Sequence, residues 1–223
     1  MRAAWTSILA LVMAGCSAPR PEQLTVAAAS NLAGVFEKVA AAYEQQSGVR
    51  VVLTYGSTAQ LTQQIENGAP YDVFAAADTE HIDKLVEKGK IAAHSRAIYA
   101  QGRLAMWAPG GDVRRLEDLL RPEVKFIAIA QPDLAPYGKA AVEALKQKGL
   151  WEQVQPKVVF SNNVSMARQY TATGNATVAL TAYSLVMNDA GAVTKLDAGI
   201  DQALAIFAHG FKPCVAGALQ QCA

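Results

Sequence analysis

Two short polar turns carry the residue types best placed to do chemistry in this chain. Ser30 and Asn31 follow Ala27-Ala28-Ala29, and Ser57 and Thr58 follow Tyr55-Gly56. Each turn comes straight after an apolar run of strand character, residues 24–26 in one case and 51–53 in the other. Each stands directly before residues of helical spacing. Hydroxyls and unpaired backbone N–H groups then meet at a helix N-terminus, where the partial positive charge of the helix attracts anions. Neither turn contains Lys, Arg, His or a carboxylate. That set suits gripping an anion with neutral donors and suits bond-breaking poorly, because a nucleophile needs an adjacent base.

Two further loops follow strand-like runs and open helices: Ala135-Pro136-Tyr137-Gly138 and Ser161-Asn162-Asn163-Val164. Taken singly, any of the four is explained by ordinary capping, since Ser, Thr and Asn are preferred before a helix for local reasons. Their recurrence, two in each proposed half, points further. A cleft between two lobes brings four such helix ends to one small oxyanion. Gly138 lets the backbone approach closely, and Pro136 fixes the preceding turn. Tyr137 offers a hydroxyl or an amide; Val164 offers only its N–H. A divalent oxyanion held by dipoles needs no buried counter-charge, whose desolvation costs several kcal/mol.

The elements that must position these loops alternate along the chain. Strand-like runs cover residues 24–29, 51–55, 71–76, 97–108, 126–130, 157–160 and 177–180. Helical spacing covers 32–46, 59–66, 78–88, 116–120, 137–148, 164–172 and 184–190, and Gly48, Gly89, Gly149, Gly174 and Gly191 supply stops. This alternation predicts an α/β fold of parallel sheets with helices on both faces. Ligands of such sheets bind beyond the carboxyl ends of strands, where all these loops lie. Pro109-Gly110-Gly111 marks a break between lobes.

Composition narrows the function. The 223 residues suffice for one large domain or two lobes of roughly 100 each. Hydrophobic residues make up 52% and charged residues 17%, so a packed core is easily built. A net charge of +1 with scattered Lys and Arg gives no field for nucleic acid. Met1-Arg2, an apolar stretch over 3–13, and Ala14-Gly15-Cys16 before Ser17-Ala18-Pro19 resemble a bacterial lipoprotein signal, with Cys16 carrying the lipid. A plain cleaved secretory signal is the alternative, and both export the chain. Cys214 and Cys222 either pair across a short loop or remain two thiols. His81, His94 and His209 show no metal-ligand spacing.

Asp72 and Asp78 are the candidates for a catalytic acid or base, with the orienting of loops as their plainer role. Glu66 and Glu87 fall on solvated helix faces, and Trp107 and Trp151 on packed positions. No serine lies in a G-x-S-x-G elbow, and Gly-rich phosphate loops are absent from the sequence.

At these residues the chain resembles the molybdate-binding solute receptors of ABC importers. The motifs that carry the resemblance are Val26-Ala27-Ala28-Ala29-Ser30-Asn31-Leu32, Tyr55-Gly56-Ser57-Thr58, Gln64-Ile65-Glu66-Asn67-Gly68-Ala69-Pro70 and Asp72-Val73-Phe74-Ala75-Ala76-Ala77-Asp78. Pro132-Asp133-Leu134-Ala135-Pro136-Tyr137-Gly138-Lys139, Asn163-Val164 and Thr173-Gly174-Asn175-Ala176 continue it. The resemblance implies a two-lobed periplasmic-binding-protein fold whose cleft closes on molybdate or tungstate. It implies Ser30, Asn31, Ser57, Thr58, Tyr137 and Val164 as the binding residues, with either hydroxyl of the Ser57-Thr58 pair as the direct donor. It further implies a monomer without cofactor or catalysis that delivers its anion to a permease in the inner membrane.

The expected organisation is a signal and tether over 1–23, a first lobe over 24–105 plus 194–223, and a second over 106–193. The resemblance departs at Ala182, where some members place an anion-binding tyrosine; Tyr183 comes one residue late and is left out. It departs again over 210–223, which match nothing in the family. Sulfate or phosphate is the alternative ligand. An enzyme on the same scaffold, using Asp72 or Asp78, is the alternative from another class, and a regulatory ligand-sensing domain is the third.

Overall fold

A computed structural model describes residues 23–206 of the chain. Cys16, His209, Cys214 and Cys222, with the readings placed on them, lie outside the described residues. The first strand, β1 (Gln23–Ala29), runs through a 3-10 turn (Ser30–Leu32) into α1 (Ala33–Ser47). Then come β2 (Arg50–Gly56), α2 (Thr58–Glu66), β3 (Val73–Ala75) and α3 (Glu80–Glu87). The long β4 (Ala97–Ala108) leads to β5 (Ile127–Ala130), α4 (Pro136–Gln147), the short α5 (Trp151–Val154), β6 (Val158–Ser161) and α6 (Val164–Ala172). The remaining elements are β7 (Val178–Ala182), α7 (Tyr183–Val186) and β8 (Ala192–Ile206).

The strands are ordered β2-β1-β3-β8-β4-β7-β5-β6. Two parallel trios, β2-β1-β3 and β7-β5-β6, form the ends and carry the crossover helices. Between them β4 and β8 run antiparallel to each other, and each is antiparallel to the trio beside it. The expectation of parallel sheets is therefore corrected to a mixed arrangement. Two strands make the correction: β4, expected but antiparallel to β7, and β8, which was not expected. The sequence of β8 holds Lys195, Asp197, Gly199 and Asp201, which interrupt the apolar run that marks a buried parallel strand.

Each trio is covered on both faces, which explains its near-continuous apolar strands. Leu24, Val26 and Ala28 belong to the packed cluster of Phe36 on α1. Ala27 and Phe74 turn the other way, onto Leu61 and Ile65 of α2 and Ile82 and Leu85 of α3. In the second trio Ile127 and Ile129 share a cluster with Ala141 and Leu145 of α4, while Ala128 packs with Ala167 of α6. Each fully buried Leu or Ile contributes about 1.5–3 kcal/mol relative to exposure.

The chain passes between the halves through β4 and β8. Residues 97–103 of β4 pair with β8, whereas Leu104 to Trp107 also pair with β7. The ladder between the two long strands is irregular at Ile98/Ala100 and at Arg103/Ala105. Gly191 starts the return. Its φ is +100°, and a Cβ there would lie 2.4 Å from the Ala108 carbonyl oxygen, so a side chain is excluded.

Candidate functional site

Four helices start beside one small cavity, each after the carboxyl end of a strand. Ala29 ends β1, and Ser30 and Asn31 form the turn that leads to α1. Gly56 ends β2, and Ser57 caps α2. Ala135 to Tyr137 start α4, beyond β5, and Val164 starts α6, beyond β6. The cavity is lined by Ala29, Ser30, Asn31, Gly56, Ser57, Thr58, Ala77, Ala135, Pro136, Tyr137 and Val164, around about 180 Å³ of space outside atoms. All the residues named from sequence, Ser30, Asn31, Ser57, Thr58, Tyr137 and Val164, line this one cavity. No lining residue carries a formal charge.

Local hydrogen bonds set the polarity of the wall. Ser57 caps α2 through a capping box: its Oγ accepts the Gln60 N–H at 3.3 Å, and Gln60 Oε1 accepts the Ser57 N–H at 3.4 Å. Thr58 Oγ1 accepts the Ala77 N–H at 3.2 Å. A hydroxyl that accepts from the backbone keeps its own proton to donate. Capping and anion binding are thus compatible uses of one oxygen, and the pair leaves both hydroxyls able to serve. Asn163 caps α6 in the same manner, accepting the Met166 N–H at 3.0 Å, and this orients the first turn that holds the Val164 amide.

Asn31 is 2% exposed, and its Nδ2 and Oδ1 have no hydrogen-bond partner within the protein. An unsatisfied buried polar group costs about 1–3 kcal/mol. Its presence on the wall fits a cavity built for a hydrogen-bonding guest. Gly138 sits just behind Tyr137. A Cβ on it would lie 2.1 Å from the Ala130 carbonyl oxygen, so only glycine lets α4 start this close to the end of β5.

The ionisable groups near the site are held elsewhere. Asp72 accepts the Thr25 N–H at 2.6 Å and the Thr25 Oγ1 proton at 2.6 Å, which ties β1 to the lead into β3. Asp78 accepts the His81 N–H at 3.1 Å and lies 2.8 Å from His81 Nδ1, at the start of α3. Neither carboxylate lines the cavity. His81 therefore has one acidic neighbour, and no group of three or more His, Cys, Asp or Glu able to hold a metal ion occurs among the described residues. Tyr99 donates toward the Ala76 carbonyl at 3.5 Å; burial, then Tyr137, push its phenol far above the ordinary value.

The family model for bacterial extracellular solute-binding proteins matches residues 24–211. The chain belongs to that family. The molybdate-binding protein ModA of Rhodobacter capsulatus is 35% identical over 191 residues, which span 84% of this chain and 75% of the relative. The ModA of Azotobacter vinelandii is 38% identical over 176 residues, 78% of this chain and 69% of the relative. The solved periplasmic molybdate-binding protein of Azotobacter vinelandii superposes with a TM-score of 0.82 at 31% identity, covering 89% of this chain and 91% of that one. The sulfate-binding protein SubI of Mycobacterium tuberculosis shares the fold alone, with a TM-score of 0.72 at 18% identity over 90% of this chain and 81% of that one.

In this solute-binding protein the two-lobed periplasmic-binding-protein fold places every element of the cavity at a strand end. Sequence reasoning met the small wall residues Ala29, Gly56, Ala77 and Ala135 only as parts of its turns and motifs and gave them no role at the site. Their side chains carry no chemical signal; their service is to stay out of the way. Tyr183 does not line the cavity. Its ring faces Lys195, whose Nζ lies 4.2 Å from the ring centre.

Proposed function

We propose that this protein captures molybdate, or tungstate in its place, outside the cytoplasm and delivers it to an ABC permease. Ser30, Asn31, Ser57, Thr58, Tyr137 and Val164 are the binding residues. The observation that carries the reading is a wall of hydroxyls, one orphaned amide and four helix starts, with no charged side chain among them. A buried dianion placed there exchanges its water shell for fixed dipoles and demands no counter-ion. Nothing in the arrangement activates a nucleophile or moves a proton, so binding without turnover is the activity. The 31–38% identical molybdate-binding relatives support the choice of anion.

The proposed lobes are 24–105 plus 194–223, of which 207–223 lie outside the described residues, and 106–193, with β4 and β8 as the hinge. Closure of the lobes buries the anion and presents a new surface to the permease. The mature chain acts as a monomer, tethered to the membrane by lipid on Cys16. Calorimetric titration of the exported chain with molybdate, tungstate, sulfate and phosphate tests the reading. Molybdate and tungstate should bind far more tightly than the other two. Tighter binding of sulfate or phosphate would transfer the site to that anion, and turnover of any ester or anhydride lost in Asp72→Asn or Asp78→Asn would establish an enzyme.

A further inference from the structure

We propose that Ser165 and Ser184 are positioning residues for anion capture, clamping the Ser30-Asn31 turn across the cleft. The inference rests on the anion-binding reading above. Ser165 is the second residue of α6, and its Oγ donates to the Ser30 carbonyl at 2.8 Å. Ser184 is the second residue of α7, and its Oγ donates to the Asn31 carbonyl at 3.1 Å. Both acceptors belong to the 3-10 turn between β1 and α1, in the opposite half. The partners stand 135 and 153 residues apart in the chain. Neither serine lines the cavity.

Two consequences follow from peptide geometry. A trans peptide is planar, so its C=O and N–H point in opposite directions. The Ser30 carbonyl shares its plane with the Asn31 N–H, and the Asn31 carbonyl shares its plane with the Leu32 N–H. Fixing the two carbonyls therefore fixes the direction of two amides at the head of α1. The same bonds hold the negative ends of those peptide dipoles on hydroxyl protons, away from a negatively charged guest.

The clamp also couples contact to closure. Val164, a wall residue, immediately precedes Ser165, so one turn of α6 lies against the cavity and reaches the opposite half. A third bond crosses nearby, from the Ala59 N–H to the Leu134 carbonyl at 3.1 Å. The ion pair of Lys139 with Glu80, at 3.5 Å, also crosses, but its side chains are 59% and 75% exposed, and such pairs contribute little. When the lobes part, water replaces the serine partners. The clamp thus acts on the loaded state and leaves the free protein unaffected.

The test uses the full exported chain with molybdate and tungstate, carrying Ser165→Ala, Ser184→Ala or both. Calorimetry reads affinity, and stopped-flow tryptophan fluorescence reads entry and release. Each single change should weaken binding roughly tenfold, the effect of one net hydrogen bond, entirely through faster release. The melting temperature of the ligand-free protein should stay unchanged, and Ser165→Thr, which keeps the hydroxyl, should restore slow release. Affinity within twofold of the unaltered protein overturns the proposal while the anion reading stands. A loss that tracks a lower ligand-free melting temperature overturns it too. Failure of the unaltered protein to bind either anion overturns both.

Discussion

Two concavities in this molecule handle charge in opposite ways. The small cavity at the four helix starts has only neutral residues on its wall. A wider groove between α4, the start of β8 and the 3-10 turn Leu116–Leu120 is lined by Arg114, Arg115, Lys148 and Lys195, with Glu117, Glu143 and Asp197 among them. On charge count alone the groove would be the anion site. Its cations, however, share the groove with carboxylates and are exposed to solvent, where charge interactions are screened and weak. A site that removes a dianion from water needs many short, fixed dipoles, and the cavity supplies them without the desolvation of a buried cation. The absence of charge is the more specific signal here.

The comparison breaks most severely if charge is put where it does not belong. Ser57→Asp keeps a good helix cap, so the fold should tolerate it. It also sets a carboxylate against the guest. Like charges about 4 Å apart at a protein surface repel by about 4 kcal/mol, which is on the order of a thousandfold in affinity. Calorimetry should find no molybdate binding while the melting temperature holds or rises. Binding retained by this variant would place the anion somewhere else.

Asn31→Ala sharpens the same contrast with a smaller effect. Its amide is buried without protein partners, so the free protein loses nothing by its removal. The loaded protein should lose about 1–3 kcal/mol of affinity. Thermal melting with and without molybdate separates the two: an unchanged ligand-free midpoint with a reduced ligand-induced shift is expected. A lower ligand-free midpoint would make Asn31 a packing residue.

How far the sequence carried this contrast depends on the residue type. Ser30, Asn31, Ser57 and Thr58 were legible because polar residues between a strand and a helix are local signals. Tyr137 and Val164 were legible through the loops they stand in rather than through their own side chains: Val164 offers a backbone N–H that any residue at that position would supply, and the family motifs singled out the same two residues. The parallel trios were legible because both faces are buried and the strands read as apolar runs. The strand β8 was not, since its partners are 84 to 133 residues away at Ala97 to Ala108 and at Val73 to Ala75, and its own residues mix charge with glycine. Ser165 and Ser184 were invisible for a similar reason, because their acceptors are carbonyls in the opposite half.

Acid should separate the two regions. The Asp118 carboxylate accepts the backbone N–H groups of Arg114 and Arg115, both at 2.9 Å, and these hold it below the ordinary carboxylate range. Lys88 and Lys84 do the same for Glu66. A carboxylate whose folded pKa is depressed favours the folded state above its unfolded pKa, about 4, and that contribution fades as the pH falls through the folded value. Melting temperature should therefore decline below about pH 4. Affinity for the anion should stay flat from about pH 6 to 8, because no group on the cavity wall titrates there. A slope in affinity across that interval would mean that an ionisable side chain takes part in binding.

The smallest effect is expected from the groove itself, and it is the most direct check on the contrast. Arg114→Ala and Lys195→Ala together remove two of its cations without touching the cavity. Screening leaves little of their field across the distance of a Debye length, about 8 Å at physiological salt. Molybdate affinity should change by less than about twofold, which is within the range of exposed charge effects. Entry at low salt should slow slightly, since distant cations steer an arriving anion, and the difference should vanish as salt is added. A tenfold loss of affinity that persists in high salt would reverse the assignment: the anion would then be held by guanidinium and ammonium groups, and the neutral wall would be structural.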